Sequence, residues 1–232
     1  MACLLYTSAP PGQIIGKDYQ NTLKTLYKNG LRDAKRAYKK YVPPGGGVED
    51  GNYMPENKAW YSGSTKKITM NFKHDASYKV GAGRTWYHEH GHLVDDLAGS
   101  VSDDKPFRSA LDRDYDAMRA RIRRKLHLKQ GVAKDERFVD FMLRSEIGKL
   151  PDNVQFVVSD VCDGLSSGVV RGKYAHSFSP GHYWSTPNAL NTEAFAGFFY
   201  AAFDARVRKE VVRYFPEGWK RFCELLKGVA AK

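Results

Sequence analysis

Residues 191–203 of this 232-residue chain read NTEAFAGFFYAAF, and no other stretch limits the fold as strongly. From Ala194 onward every side of a helix built from it is apolar, so the helix must be buried all round. That demands a packed core of domain size with other elements on every flank. Glu193 opens the same helix, and a carboxylate buried there needs a cation or hydrogen-bond donors. A metal ion would supply the first. The free backbone N–H groups of the helix start would supply the second.

The remaining pattern places short strands before many helices, which predicts an α+β fold with a small antiparallel or mixed sheet and a mostly helical C-terminal part. The segment 1–58 is expected to hold one helix, from about Tyr19 to Val42, and a Pro/Gly-rich loop, PPGGG, that ends it. A domain over 59–232 follows. In KAWYSGSTKKITMNFKHD two strands flank a Ser-Gly-Ser turn, with Ile68, Met70 and Phe72 alternating against Thr69, Asn71 and Lys73. Helices are expected over the histidine-rich stretch at 84–99, at about 106–129, across DERFVDFMLRSEIGKL and PDNVQFVVSDVCDGL, and through the last forty residues. A long loop at 164–184, rich in glycine, serine and aromatics, is of the kind that often carries function.

Charge and cysteine content exclude several alternatives. The formal net charge is +11, which attracts polyanions non-specifically. In and just before the densest basic run, DRDYDAMRARIRRKLHLK, Leu111, Met118, Ile122 and Leu126 form a helical stripe. Asp112, Asp114 and Asp116 lie toward its N-terminal end and the basic residues toward its C-terminal end, as the helix dipole favours. A solvated helix face explains that run, and nucleic acid is expected as a non-specific partner only. Cys3, Cys162 and Cys223 are odd in number and far apart, which argues against a disulfide framework. No apolar run approaches the roughly 18 residues of a membrane span, and no signal peptide is recognisable. The expected location is the cytoplasm of a host cell or a virion, with no membrane partner.

The chemistry concentrates in RTWYHEHGHLVDDLAG, Arg84 to Gly99. On a helix, residues four apart share a face and residues two apart do not. His88 and His92 are therefore the pair able to hold one ion, while His90 points elsewhere. Glu89 stands beside the first ligand without being needed as one. This is the H-E-x-x-H arrangement, in which two histidines bind zinc and the glutamate is the general base for the attacking water. Gly91 costs about 1 kcal/mol inside a helix relative to alanine, so something is expected to pack closely there. A catalytic zinc site needs a third protein ligand. Of the later glutamates, Glu136 and Glu146 have charged neighbours and can face solvent, whereas Glu193 cannot, and it is the expected third ligand.

These motifs carry a resemblance. HEHGH followed about a hundred residues later by NTEAFAGFF is similar to the gluzincin pattern of anthrax lethal factor and the Pro-Pro endopeptidases. More closely, the succession ITMNFKHD, TWYHEHGHLVDDLAG, SDVCDGLSSGVVRGKYAHS, HYW, TEAFAGFF and RYFPEGW, spanning roughly Trp60 to Leu226, resembles the zincin-like metallopeptidase domain of phage minor head and head-morphogenesis proteins. The resemblance implies a zincin-like fold with an active-site helix, His88, His92 and Glu193 as zinc ligands, Glu89 as base, and peptide-bond hydrolysis, with phage head proteins as partners. The other reading is a virion or head-assembly module whose zinc is structural and which has no protease activity.

Hydrolysis of a peptide also needs a donor for the tetrahedral oxyanion. GKYAHSFSPGHYW offers Tyr174, His176, His182 and Tyr183, of which His176 and Tyr183 are favoured. Asp95 and Asp96, three and four residues after His92, are candidates for orienting a ligand imidazole. A peptide or protein substrate is expected to add as a strand along residues 66–73, read as an exposed sheet edge.

Overall fold

The computed structural model describes residues 16–51, 59–77, 82–127, 136–172 and 183–231. They form an α+β chain, mostly helical, with one three-stranded sheet. In order come helices α1 (Lys17–Asn29) and α2 (Arg32–Tyr41), strands β1 (Val48–Asp50), β2 (Ala59–Ser62) and β3 (Lys67–Met70), and helices α3 (Phe72–Ser77) and α4 (Arg84–Leu97). Helices α5 (Lys105–Lys125), α6 (Glu136–Phe141), α7 (Asp152–Leu165), α8 (Ala189–Phe203), α9 (Ala205–Tyr214) and α10 (Pro216–Ala231) follow. Two compact units result. The first comprises 1–101, 195–205 and 225–232, the second 102–194 and 206–224.

In the first unit the single helix expected between Tyr19 and Val42 is two. Gly30 is extended (ψ 152°), and the Leu31 N–H donates to the Ala202 carbonyl at 3.0 Å instead of to its own helix. A tertiary hydrogen bond thus stands at the two-residue break, Gly30 and Leu31, between the helices. The sheet order is β1-β3-β2, with β1 parallel and β2 antiparallel to β3. This corrects the expectation that a substrate adds along residues 66–73. The strand at its centre, Lys67–Met70, is paired on both sides and has no edge to offer. Its central place also explains why Thr69 is buried along with Ile68 and Met70, where simple alternation puts it in solvent. Phe72, read as strand, begins α3 and is still buried.

Helix α4 is the axis of this unit. Its N-terminus is fixed by Asp75, whose carboxylate accepts from the N–H groups of Gly83 (3.0 Å) and Thr85 (3.3 Å) and from the Tyr19 hydroxyl (2.6 Å). Trp86 and Tyr87 are fully buried. The Trp86 indole donates to the Tyr38 hydroxyl (3.0 Å) and the Tyr87 hydroxyl to the Leu23 carbonyl (2.9 Å). Tyr87 stacks on Phe203 at 4.2 Å between ring centroids. Side chains of this size each contribute about 2–3 kcal/mol by burial, and their hydrogen bonds set the rotation of α4 about its axis.

The second unit is built on α5, α7 and the helices after them. Leu111, Met118 and Ile122 of the expected stripe are buried, with Phe107 and Tyr115 beside them, and the arginines of α5 lie on its solvent side. Asp104 caps α5 through the Phe107 N–H (2.7 Å) and holds the Arg221 guanidinium with both oxygens (2.9 and 2.8 Å). Asp114 caps α10, accepting from the N–H groups of Glu217 and Gly218. Glu146, expected to face solvent, is instead buried and bonded to Arg121 and to the Tyr214 hydroxyl. It closes a π-helical turn, Met142–Glu146, that interrupts the helix expected over residues 135–150.

Candidate metal centre

His88 and Glu89 are 6% and 7% exposed, and His92 is partly buried. One turn of α4 brings the His88 and His92 Nε2 atoms to 3.2 Å, with the rings perpendicular at 4.8 Å between centroids. Two nitrogens bonded to one tetrahedral zinc at about 2.0–2.1 Å stand roughly 3.3 Å apart, so the pair already has that spacing. His90 points elsewhere, as expected. It is fully buried against Trp86 and Tyr38, and its ring nitrogens meet the Trp86 carbonyl at 2.6 Å and the Gly46 carbonyl at 2.8 Å. Burial pushes its imidazole down to about 4, against the two carbonyls that favour protonation.

Gly91 explains how a carboxylate reaches this pair. A Cβ there would stand 2.7 Å from the Ala196 Cα and 3.1 Å from the Phe199 Cβ, so α8 crosses α4 with backbone almost against backbone. Ala196 follows Glu193 by three residues on the same unbroken helix, and residues three apart share a face. The ligand atoms of His88, His92 and Glu193 lie within 4.8 Å of one another. Two imidazole nitrogens and one carboxylate oxygen are a donor set that zinc takes readily, with a fourth position left over. The residues fit the ion.

Compared with protein-family models, with curated proteins and with solved structures, the chain has no match.

Tyr183 donates its hydroxyl hydrogen to Glu193 Oε1, which brings this sequence candidate to the Glu193 carboxylate. His176, Tyr174 and His182 lie outside the described residues. Of the two aspartates after His92, Asp96 is engaged away from the imidazole. It accepts from the Tyr61 hydroxyl and from Lys66 Nζ, the latter at 2.6 Å. Burial raises its carboxyl pKa, but the hydrogen bonds from Lys66 and Tyr61 outweigh that and hold it below the usual range. Asp96 thus ties β2 and the turn after it to the end of α4. Asp95 is the buried member of the pair, 3% exposed.

Sequence reasoning missed Asp75, which caps the histidine helix, and Asp163, which accepts from the Trp184 indole at 3.0 Å. Each acts on residues distant in sequence, so no local spacing marks it. Among the described residues, no helix is long and apolar enough to cross a membrane.

Proposed function

We propose that the protein is a zinc-dependent endopeptidase of zincin type, with His88, His92 and Glu193 as ligands and Glu89 as general base. The observation that carries this reading is the meeting of two imidazole nitrogens and a buried carboxylate at one point, with Glu89 buried next to the first ligand and not needed to hold an ion. Bound zinc supplies Lewis acidity, which lowers the pKa of a water to about 7 and polarises a carbonyl. Glu89 takes the proton of the attacking water and delivers it to the leaving amine. His176 is the proposed donor to the oxyanion. An extended peptide would pair with β2, a sheet edge among the described residues and the strand that Tyr61 fastens to α4. The motif succession supports phage head proteins as substrates or partners, in the host cytoplasm or the virion.

A fluorescence-quenched peptide library incubated with the zinc-loaded protein tests this. Wild type is expected to cleave, and Glu89→Gln to keep its zinc while losing about 10²–10⁴ in rate. Equal cleavage by the variant would contradict the role of Glu89. A zinc-loaded wild type that cleaves nothing would favour a structural zinc in a head-assembly module.

A further inference from the structure

We propose that Tyr183 is a positioning residue for Glu193, and that Asp163 and Trp184 hold it there. This rests on the metal reading above and names what sets its third ligand. Glu193 is 5% exposed on an otherwise apolar helix, where a carboxylate is free to rotate about its terminal bond unless a donor fixes it. The Tyr183 hydroxyl is such a donor. A phenol has one hydrogen, and while it is given to Glu193 it is not available to an oxyanion. Tyr183 therefore acts on the ligand rather than on the substrate.

Tyr183 is held in turn by its neighbour. The Trp184 indole N–H donates to Asp163 Oδ2 at 3.0 Å, and Asp163 is completely buried on α7. The Trp184 ring lies over Gly164, where a Cβ would come within 2.9 and 3.0 Å of its Cζ3 and Cε3 atoms. Only a glycine leaves that slot open. The two aromatic rings meet edge to face, 4.9 Å between centroids and 78° between planes, and the chain then turns through the Thr186 N–H to Tyr183 carbonyl bond, 3.0 Å, into α8. Asp163 on α7 thus fixes Trp184, Trp184 fixes the Tyr183 ring, and Tyr183 fixes the carboxylate. Partners of metal ligands of this kind are worth about 10–100-fold in affinity.

The test is the zinc dissociation constant by chelator competition, read beside the melting temperature of the zinc-free protein. Wild type, Tyr183→Phe, Asp163→Ala, Asp163→Asn and Glu193→Ala are compared. Tyr183→Phe and Asp163→Ala are expected to weaken zinc by about 10–100-fold, and Glu193→Ala by more. Asp163→Asn keeps an oxygen acceptor for the indole and should restore affinity close to wild type. Should Asp163→Ala fail to fold, Trp184→Phe removes the same N–H from a partly exposed position. Wild-type affinity in Tyr183→Phe would overturn the proposal and return the phenol to the oxyanion. Weakening in Tyr183→Phe with full affinity in both Asp163→Ala and Trp184→Phe would overturn the role of Asp163 and Trp184. A wild type that takes up no zinc would overturn the metal reading and this inference with it.

Discussion

Helices α4 and α5 both carry many ionisable side chains, and the folded chain treats most of them in opposite ways. Helix α4 buries Arg84, His88, Glu89, His90 and Asp95. Helix α5 turns Arg108, Arg113, Arg121, Arg124 and Lys125 to solvent and buries an apolar stripe, with Asp114 the one charged residue among its buried ones. Burying a charge costs several kcal/mol unless it finds a partner, so α4 is explicable only by what its polar groups bind. Apart from Arg121, which pairs with the buried Glu146, the exposed charges on α5 cost little and imply no more than weak polyanion attraction. Density of charge is thus a poor guide to a site, and burial of charge a good one.

The sharpest way to break this contrast is at the ligands. His88→Ala or His92→Ala is expected to weaken zinc by more than about 100-fold, beyond the loss from an outer partner, by chelator competition. Retained affinity would put the ion elsewhere. Next is Gly91→Ala. Alanine gains about 1 kcal/mol of helix propensity, but its Cβ meets the Ala196 backbone at 2.7 Å, which cannot rotate away. Overpacking of this kind costs about 1–3 kcal/mol, so a net loss in urea denaturation is expected, with weaker zinc binding as α8 is pushed off α4.

A smaller effect tests the ionisable groups that hold α5 in place. Hydrogen bonds from Arg221 hold the Asp104 carboxyl below its ordinary 3.8, with burial opposing. A depressed carboxyl stabilises the fold fully above its unfolded value, and that stability is lost as pH falls through the folded one. Arg221→Ala should therefore cost about 1 kcal/mol at neutral pH, and the gap from wild type should close in acid. A gap independent of pH would mean that packing, not charge, is lost. Smallest of all, Arg113→Ala with Arg124→Ala on the open face of α5 should change stability by less than about 0.5 kcal/mol and leave zinc affinity untouched.

What the sequence made legible follows the same divide. The four-residue spacing of His88 and His92, the close packing at Gly91 and the burial of the helix carrying Glu193 were all readable, because each is a local pattern with a physical cost. The break at Gly30 was not, since it depends on the Ala202 carbonyl reaching Leu31. Nor was the central place of β3, because three residues of β1 carry too short a pattern to announce a parallel partner. Glu146 looked solvated among charged neighbours, yet Arg121 and Tyr214, far along the chain, bury it. Periodicity reports faces. It does not report which distant element covers them.

The central claim is tested most directly by elemental analysis of the purified protein beside its Glu193→Ala variant. About one zinc per chain in wild type, lost or greatly reduced in the variant, is the predicted result. No zinc in either protein after incubation with excess metal would contradict the hydrolase reading and leave α4 as a buried histidine helix of another purpose.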